Sequence, residues 1–306
     1  MKNASLPYNQ RFYINGTGLS GVQSVDGNYG VNEQNVNFAG FGYVTGLISQ
    51  PMQGNFTISR ALIGNDPWLS FTGDGTSAAF SGSVFYERPN LGGTLDNTEG
   101  NYMSGCFGFH SGYLNSYNIS CGIGEIPSVQ VSVSVYGDLG PGIDVRAGHE
   151  SYPLWPNGVE DAEIRVPNQG GIVLTCDGSS TNRITSFSHS IELPRTALYA
   201  LPNAAAADLT ADSVKWKMPV QVDLSYPIES TTNFTLEIDD YETKNLYGAL
   251  TGIHVHDADI TINDDSGSEI VKFDLTKSRL ISESFTSEVG GPVTVNLTYK
   301  KYSNKR

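Results

Sequence analysis

Short alternating runs, broken by Gly, Pro and Asn-rich turns, fill this chain, and their period of two predicts strands almost throughout. In the first part, apolar runs at 12–14, 21–25, 38–44 and 54–58 are punctuated by Gly. The polar stretch 26–37 (DGNYGVNEQNVN) has few core residues and lies between strands, so it predicts an extended hairpin or loop reaching beyond its own domain. The β pattern breaks at Asn65. In NDPWLSFTGDG, Asp66 is placed to cap, Pro67 to open, and Trp68, Leu69 and Phe71 to anchor one short helix. Residues 77–88 then predict a strand and 105–136 a hairpin. From 138 to 171 Pro and Gly are dense with no sustained period, which marks a boundary. Beyond it, 172–176, 189–193, 218–226 and 235–238 predict strands. Residues 253–262 and 270–275 predict a hairpin about the turn NDDSGS, and 204–213 and 240–250 two short helical stretches.

The chain also repeats itself. Residues 113–136 read YLNSYNISCGIGEIPSVQVSVSVY, and 279–299 read RLISESFTSEVGGPVTVNLTY. In each, a Leu (Leu114, Leu280) is followed two residues later by a Ser (Ser116, Ser282). A polar run, a Gly break (Gly124, or Gly290 and Gly291), a Pro (Pro127, Pro292) and an alternating strand ending at Tyr136 or Tyr299 come next. A duplicated strand, turn and strand predicts two copies of one small β-domain, 1–137 and 172–306, joined by a Gly/Pro-rich linker or loop at 138–171. Upstream the repeat aligns in two ways: NFT at Asn55 with NFT at Asn233, or PMQGNFTIS from Pro51 with PVQVDLSY from Pro219. The second keeps the Pro and the alternation and is preferred. The expected fold class is all-β, with one or two short helices.

Composition sharpens that picture. Of 306 residues, 39% are hydrophobic and only 16% charged, below the usual quarter, with 34 Gly and abundant Asn, Ser and Thr. Such a chain suits sheets with one wet face and argues against a helical bundle. The net charge is −14 and both halves are acidic, so nucleic-acid binding by phosphate neutralisation is disfavoured. An acidic surface can still face DNA by repelling it. No apolar run has the length of a signal peptide or a membrane span, and the expectation is a protein made soluble in a cytoplasm, with no membrane partner.

Candidate chemistry is thin. Cys106, Cys121 and Cys176 lack metal spacing and read as small buried hydrophobes, with a Cys106–Cys121 bridge across a hairpin as the alternative. His254 and His256 place two imidazoles on one face of a strand, with Asp257 and Asp259 following, which could begin a metal site; alternation on the wet face of an edge strand is the stronger account. Asp264 and Asp265, with Ser266 and Gly267, fit a tight turn better than a calcium loop. Glu237, Asp239, Asp240 and Glu242 fit a solvated acidic rim. There is no GxSxG elbow, GxGxxG or P-loop, so the chain is not read as an enzyme, and no catalytic, cofactor-binding or metal residue is assigned. The 16 Tyr and 13 Phe are spread along the strands, which favours core and interface packing over sugar stacking.

The segment GYLNSYNISCGIGEIPSVQVSVSVYG (112–137) resembles structural proteins of tailed bacteriophages, in which a strand of the form L-x-S-Y-x-V leads through G-E/D-x-P into an alternating strand. SGVQSVDGNYG (20–30) followed by 51–59, and SIELPRTALYAL (190–201) followed by PVQVDLSY, are similar to the same group, the tail tube proteins. The resemblance covers about half of the chain. It implies tandem tail-tube-like β-sandwich or barrel domains whose sheets join edge to edge into rings, of six chains or of three chains with pseudo-sixfold symmetry. The rings stack through long loops such as 26–37 and 138–171 into a tube for DNA ejection. It further implies a virion location, an acidic lumen that DNA passes without specific binding, and tape measure, terminator and sheath proteins as partners. Asp239, Asp240, Asp257 and Asp259 are the acidic residues considered for that lumen. Another head-tail, terminator or baseplate component is the structural alternative. A carbohydrate-binding or adhesive β-sandwich module is the alternative from another class.

Overall fold

The computed structural model describes residues 10–30, 33–36, 46–49, 53–62, 66–72, 78–86, 106–145, 170–176, 179–199, 219–238, 257–264, 266–287, 289 and 291–303. In the first half, β1 (Gln10–Ile14), β2 (Thr17–Leu19), β3 (Val22–Gly30), β4 (Glu33–Val36), β5 (Gly46–Ser49) and β6 (Gln53–Ala61) precede a 3-10 helix, Pro67–Phe71. After it come β7 (Phe80–Tyr86), β8 (Cys106–Gly122), β9 (Ser128–Tyr136) and β10 (Leu139–Pro141). The second half holds β11 (Ile172–Cys176), β12 (Ser179–Thr181), β13 (Ile184–Glu192), β14 (Arg195–Leu198) and β15 (Gln221–Leu224). It continues with β16 (Ile228–Ile238), β17 (Ala258–Asn263), β18 (Glu269–Asp274), β19 (Arg279–Thr286) and β20 (Val293–Ser303). The fold is all-β, as the alternation predicts. The stretches 38–44, 204–213 and 240–250 lie outside the described residues.

β8 organises the molecule. Its residues 116–120 pair with β9 on one edge and β13 on the other, whereas 107–109 pair with β10 and β7. Gly112 pairs with both Val135 of β9 and Phe80 of β7, so β7 and β13 share one edge of β8 in succession. The sheet therefore forks. One path runs β3-β6-β9-β8-β13-β16-β20-β19 and joins strands of both halves of the chain. The other leaves the first half of β8 through β7 and β1 to β2. Around the fork, a Cβ at Gly82 or Gly112 would stand 2.6 or 2.3 Å from the Phe109 ring, so both positions need glycine for the strands to close over it.

One face of the long path is apolar. Over the first half it packs on the Trp68–Phe80–Phe109–Phe56 ring chain. Over the second half it is covered by the four-stranded sheet β12-β11-β17-β18, with Phe273 of β18 set against Tyr117, Phe187 and His189. The main core cluster runs from Phe12 to Tyr299, beside a small one of Tyr13, Phe85 and Cys106. The short helix forms where its capping pattern places it: Asp66 Oδ1 accepts from the Trp68 N–H at 3.2 Å. The same carboxylate is held by Arg60 Nη1 at 3.3 Å and accepts the Tyr117 hydroxyl at 2.8 Å. Arg60 and Tyr117 are both fully buried.

Four strands carry a bulge with one signature. Between Val22 and Ser24, Leu114 and Ser116, Ile184 and Ser186, and Leu280 and Ser282, the pairing skips the residue between. A bulge puts two successive residues on one face and shifts the alternation by one. Buried positions accordingly step from Leu114 to Tyr117 and from Ile184 to Phe187. In the sequence this is apolar-x-Ser-apolar: VQSV, LNSY, ITSF and, with a charge in the last place, LISE.

These bulges align two four-stranded units, β3-β6-β9-β8 and β13-β16-β20-β19. Starting from the bulges of β3 and β13, the ladders set Ser59 level with Thr235 and Gln130 level with Asn296. Starting instead from the bulges of β8 and β19, Ser132 falls level with Thr298, which is the same alignment of β9 on β20. Two expectations change. The segment PVQVDLSY supplies β15, which pairs with β14 in a separate sheet, while both NFT segments lie in the equivalent strands β6 and β16. Tyr299 takes the seat of Val133, not of Tyr136. All three cysteines are buried free thiols, as their reading as small buried hydrophobes has it, and the alternative Cys106–Cys121 bridge is absent.

Candidate functional site

The other face of the eight-strand path has no layer packed on it among the described residues. Alternation sends a polar residue to it at nearly every second position, and the in-register ladders line these residues up in rows across the strands. One row is Ser128–Ser120–Ser188–Asn233–Thr298–Ser282, taken from β9 through to β19. The next is Ser186–Thr235–Asn296–Ser284. A third runs Ser24–Ser59–Gln130–Asn118–Ser190–Thr231 before ending at Lys300 and Arg279.

Side chains in these rows hydrogen-bond to one another across strands. The Ser186 hydroxyl donates to Thr235 Oγ1 at 3.0 Å, Thr235 donates to Asn296 Oδ1 at 2.6 Å, and Asn296 Nδ2 reaches Ser284 Oγ at 3.4 Å. In the neighbouring row Thr298 donates to Asn233 Oδ1 at 2.8 Å and Asn233 Nδ2 to Ser188 Oγ at 3.3 Å. Two shallow grooves follow these rows, and Ser120, Ser188 and Asn233 line both. Ser, Thr and Asn dominate the rows, and the charges on this face are spread: Asp26 on β3, Glu192 opposite Glu229 with Lys300 paired to Glu229, Arg279 beside Lys300, and Glu237 at the other end of β16. Burial, and then the nearby Glu229, push the Glu192 carboxyl above its ordinary value. Such a surface offers hydroxyls and amides already partly satisfied by each other, in a geometry fixed by the ladders.

At the end of the face where β6 begins and β9 finishes, Tyr113 and Tyr136 pack edge to face with centroids 6.0 Å apart, and the Arg195 guanidinium lies 5.7 Å over the Tyr113 ring. Arg195 Nε also donates to the Leu114 carbonyl beside the bulge, at 3.2 Å. Burial pulls the Arg195 pKa down from its ordinary value while the surrounding tyrosines oppose it.

Of the described residues singled out from sequence, Glu237 is on the open face by alternation with Thr235, and the others fall elsewhere. Asp257 and Asp259 lie at the start of β17, in the four-stranded sheet and not on the open face, and Asp259 pairs with Lys272 at 3.2 Å. Asp264 forms the tight turn expected of it: its Oδ1 accepts the backbone N–H groups of Ser266 and Ser268 at 3.0 and 2.8 Å. Glu237 is half-buried at the end of β16. Asp239, Asp240, Glu242, His254, His256 and Asp265 lie outside the described residues. Within the stretch 26–37, residues 26–30 belong to β3 and pair with β6, and 33–36 form β4 and pair with β5.

The histidine that the structure does single out is His189. It is buried between Phe187 and Phe273, with Nδ1 2.8 Å from Thr232 Oγ1, and burial followed by the Lys301 charge pushes its pKa down to about 4. No helix among the described residues is long and apolar enough to cross a membrane. No family model matches the chain, and no curated protein matches it.

Proposed function

We propose that this chain is the tail tube subunit of a tailed bacteriophage, a virion protein made in the host cytoplasm that polymerises into stacked rings forming the channel for DNA ejection. The observation that carries the reading is the eight-strand path itself. Its outermost strands are β3 and β19, each with one strand partner among the described residues, and one of its faces is solvated and carries in-register rows dominated by Ser, Thr and Asn. A sheet with open edges at both ends is satisfied by joining copies of itself, and a curved closed wall removes the edges altogether. The wet face then lines the bore, where hydroxyls and amides let DNA pass without holding it and the net charge of −14 discourages adhesion.

Ring size follows from strand count. At about 4.8 Å per strand, three chains of eight strands enclose a bore of roughly 37 Å between backbones, enough for a duplex and the side chains of the wall. Six chains would double it, so we favour three chains with pseudo-sixfold symmetry. In this reading the β4–β5 pair, a sheet of its own, is the element that reaches an adjacent ring. Tape measure and terminator proteins are the partners this role entails.

Negative-stain electron microscopy of the purified protein across concentration and salt tests the reading. Hollow rings or tubes of uniform bore with threefold or pseudo-sixfold symmetry are expected. A monomer at every condition removes self-assembly and returns weight to a carbohydrate-binding module or to a virion component that needs a partner.

A further inference from the structure

The molecule contains a joint between its two units, and that joint specifies another. β8 closes the first unit and β13 opens the second, and they meet through seven unbroken pairs, from Ser116↔Glu192 to Gly122↔Ser186. The counterpart of β8 is β19 and the counterpart of β13 is β3. These are the two strands at the ends of the eight-strand path, and among the described residues neither has a strand on its outer edge. The bulges that align the units, Asn115 with Ile281 and Thr185 with Gln23, carry the register of the inner joint to these outer edges.

We infer that β19 of one chain pairs antiparallel with β3 of a second copy, with Ser282 opposite Gly30, Ser284 opposite Asn28, Phe285 opposite Gly27 and Thr286 opposite Asp26. The inference rests on the self-assembly reading above and names the surface that performs it. The side chains at these seats support the register. Phe285 occupies the place held by Ile119 in the inner joint, yet it is 64% exposed where Ile119 is 1% exposed. Its partner seat holds a glycine, and beneath Gly27 lies the buried Phe56 ring, 2.6 Å from where a Cβ would stand. A bulky exposed ring on one edge thus meets a bare backbone over an aromatic floor on the other. In the inner joint the same two seats hold Ile119 and His189. On the wet face, Ser284 ends the row that begins at Ser186, and Asn28 begins the row that continues through Asn55 to Ser134, so the pairing makes one polar row of two. No like charges face each other at the four pairs.

Disulfide trapping tests the register. The variants Asn28→Cys and Ser284→Cys are prepared separately, mixed and oxidised; the native thiols are buried and give the background. Directly opposed residues of an antiparallel pair have Cα atoms about 4.5–5.5 Å apart, within disulfide reach. We expect a heterodimer from this mixture. Ser24→Cys, four residues along β3 and about 13 Å out of register, should give none with Ser284→Cys. Phe285→Asp in the Ser284→Cys chain should lower the yield at least tenfold with the thermal midpoint unchanged. Tubes without this cross-link, or with the out-of-register one, overturn the joint while the tube reading stands. The cross-link without tubes upholds the joint and removes the tube. Neither cross-link nor tubes overturns both.

Discussion

The hairpins β8–β9 and β19–β20 have the same register, the same bulge and very different surroundings. In the first, β8 is paired on both edges, and its inward residues Tyr117, Ile119 and Cys121 are buried. In the second, β19 is paired on one edge among the described residues, and Ile281 and Phe285 are 51% and 64% exposed. The units differ underneath as well. The first seats an arginine, Arg60, level with Leu236 of the second, and both are fully buried. One sheet scaffold thus tolerates a charge or an alkyl group at the same seat, provided the covering layer answers it: Asp66 for Arg60, and the β11–β17 sheet for Leu236. Backbone pairing sets the scaffold, and the cover decides what each seat must be.

The largest test of that division is Asp66→Ala. It leaves Arg60 buried without its carboxylate and Tyr117 without its acceptor, and denaturant titration should show a loss of about 3–5 kcal/mol. Burial raises the pKa of Asp66 against the pull of Arg60, so removing Arg60 instead should leave a protonated carboxyl and cost less. Next come the equivalent seats of the two hairpins. Ile119→Ala should cost about 2–5 kcal/mol, whereas Phe285→Ala in the monomer should stay within about 0.5 kcal/mol by the same measurement. Equal losses at the two seats would mean that Phe285 is packed and that the outer edge is not open.

Acid should then separate the units. The folded state depresses the pKa of His189 from 6.5 to about 4, so its contribution is complete above pH 6.5 and is lost as pH falls toward 4, by up to roughly 3 kcal/mol. The level seat in the first unit is Gly27, which cannot titrate. His189→Gln should flatten the difference between stabilities measured at pH 7 and pH 4.5. The smallest effect belongs to the wet face: Ser188→Ala or Asn296→Ala should change stability by less than about 1 kcal/mol, because each removes a half-exposed polar contact.

Much of the fold was legible because its period is local. Alternation marked the strands, Asp66 and Pro67 marked the short helix, and a low charge content with abundant Ser, Thr and Asn anticipated one wet face. The repeated Leu-x-Ser was visible too, but its meaning was not: a skipped residue shows in sequence only as two polar positions in a row, and the shorter VQSV and ITSF instances look like ordinary strand ends. The preference for matching Pro219 with Pro51 failed because alternation reports that a residue stretch is a strand and not which neighbour it finds. The edge shared by β7 and β13 along β8 is a choice among distant partners, and covering groups such as Trp68 over Phe80 and Phe273 over Phe187 belong to distant segments of the chain. The open face was predictable in kind, yet its rows depend on registers that a one-residue slip would scramble. The acidic residues considered for a lumen were chosen by charge, and Asp257 and Asp259 fell in the other sheet.

The exchange of partners along β8 has a mechanical consequence. A pull along the strand axis, applied between the two units, is resisted by the seven β8–β13 pairs together, as a lap joint resists shear. A pull across the sheet opens those pairs one after another. The fork holds the first half of β8 to β7 and β10 meanwhile, so the strand cannot slide out to relieve the strain. The molecule should therefore be stiff along its strands and yield first by peeling at its edges, β3 and β19.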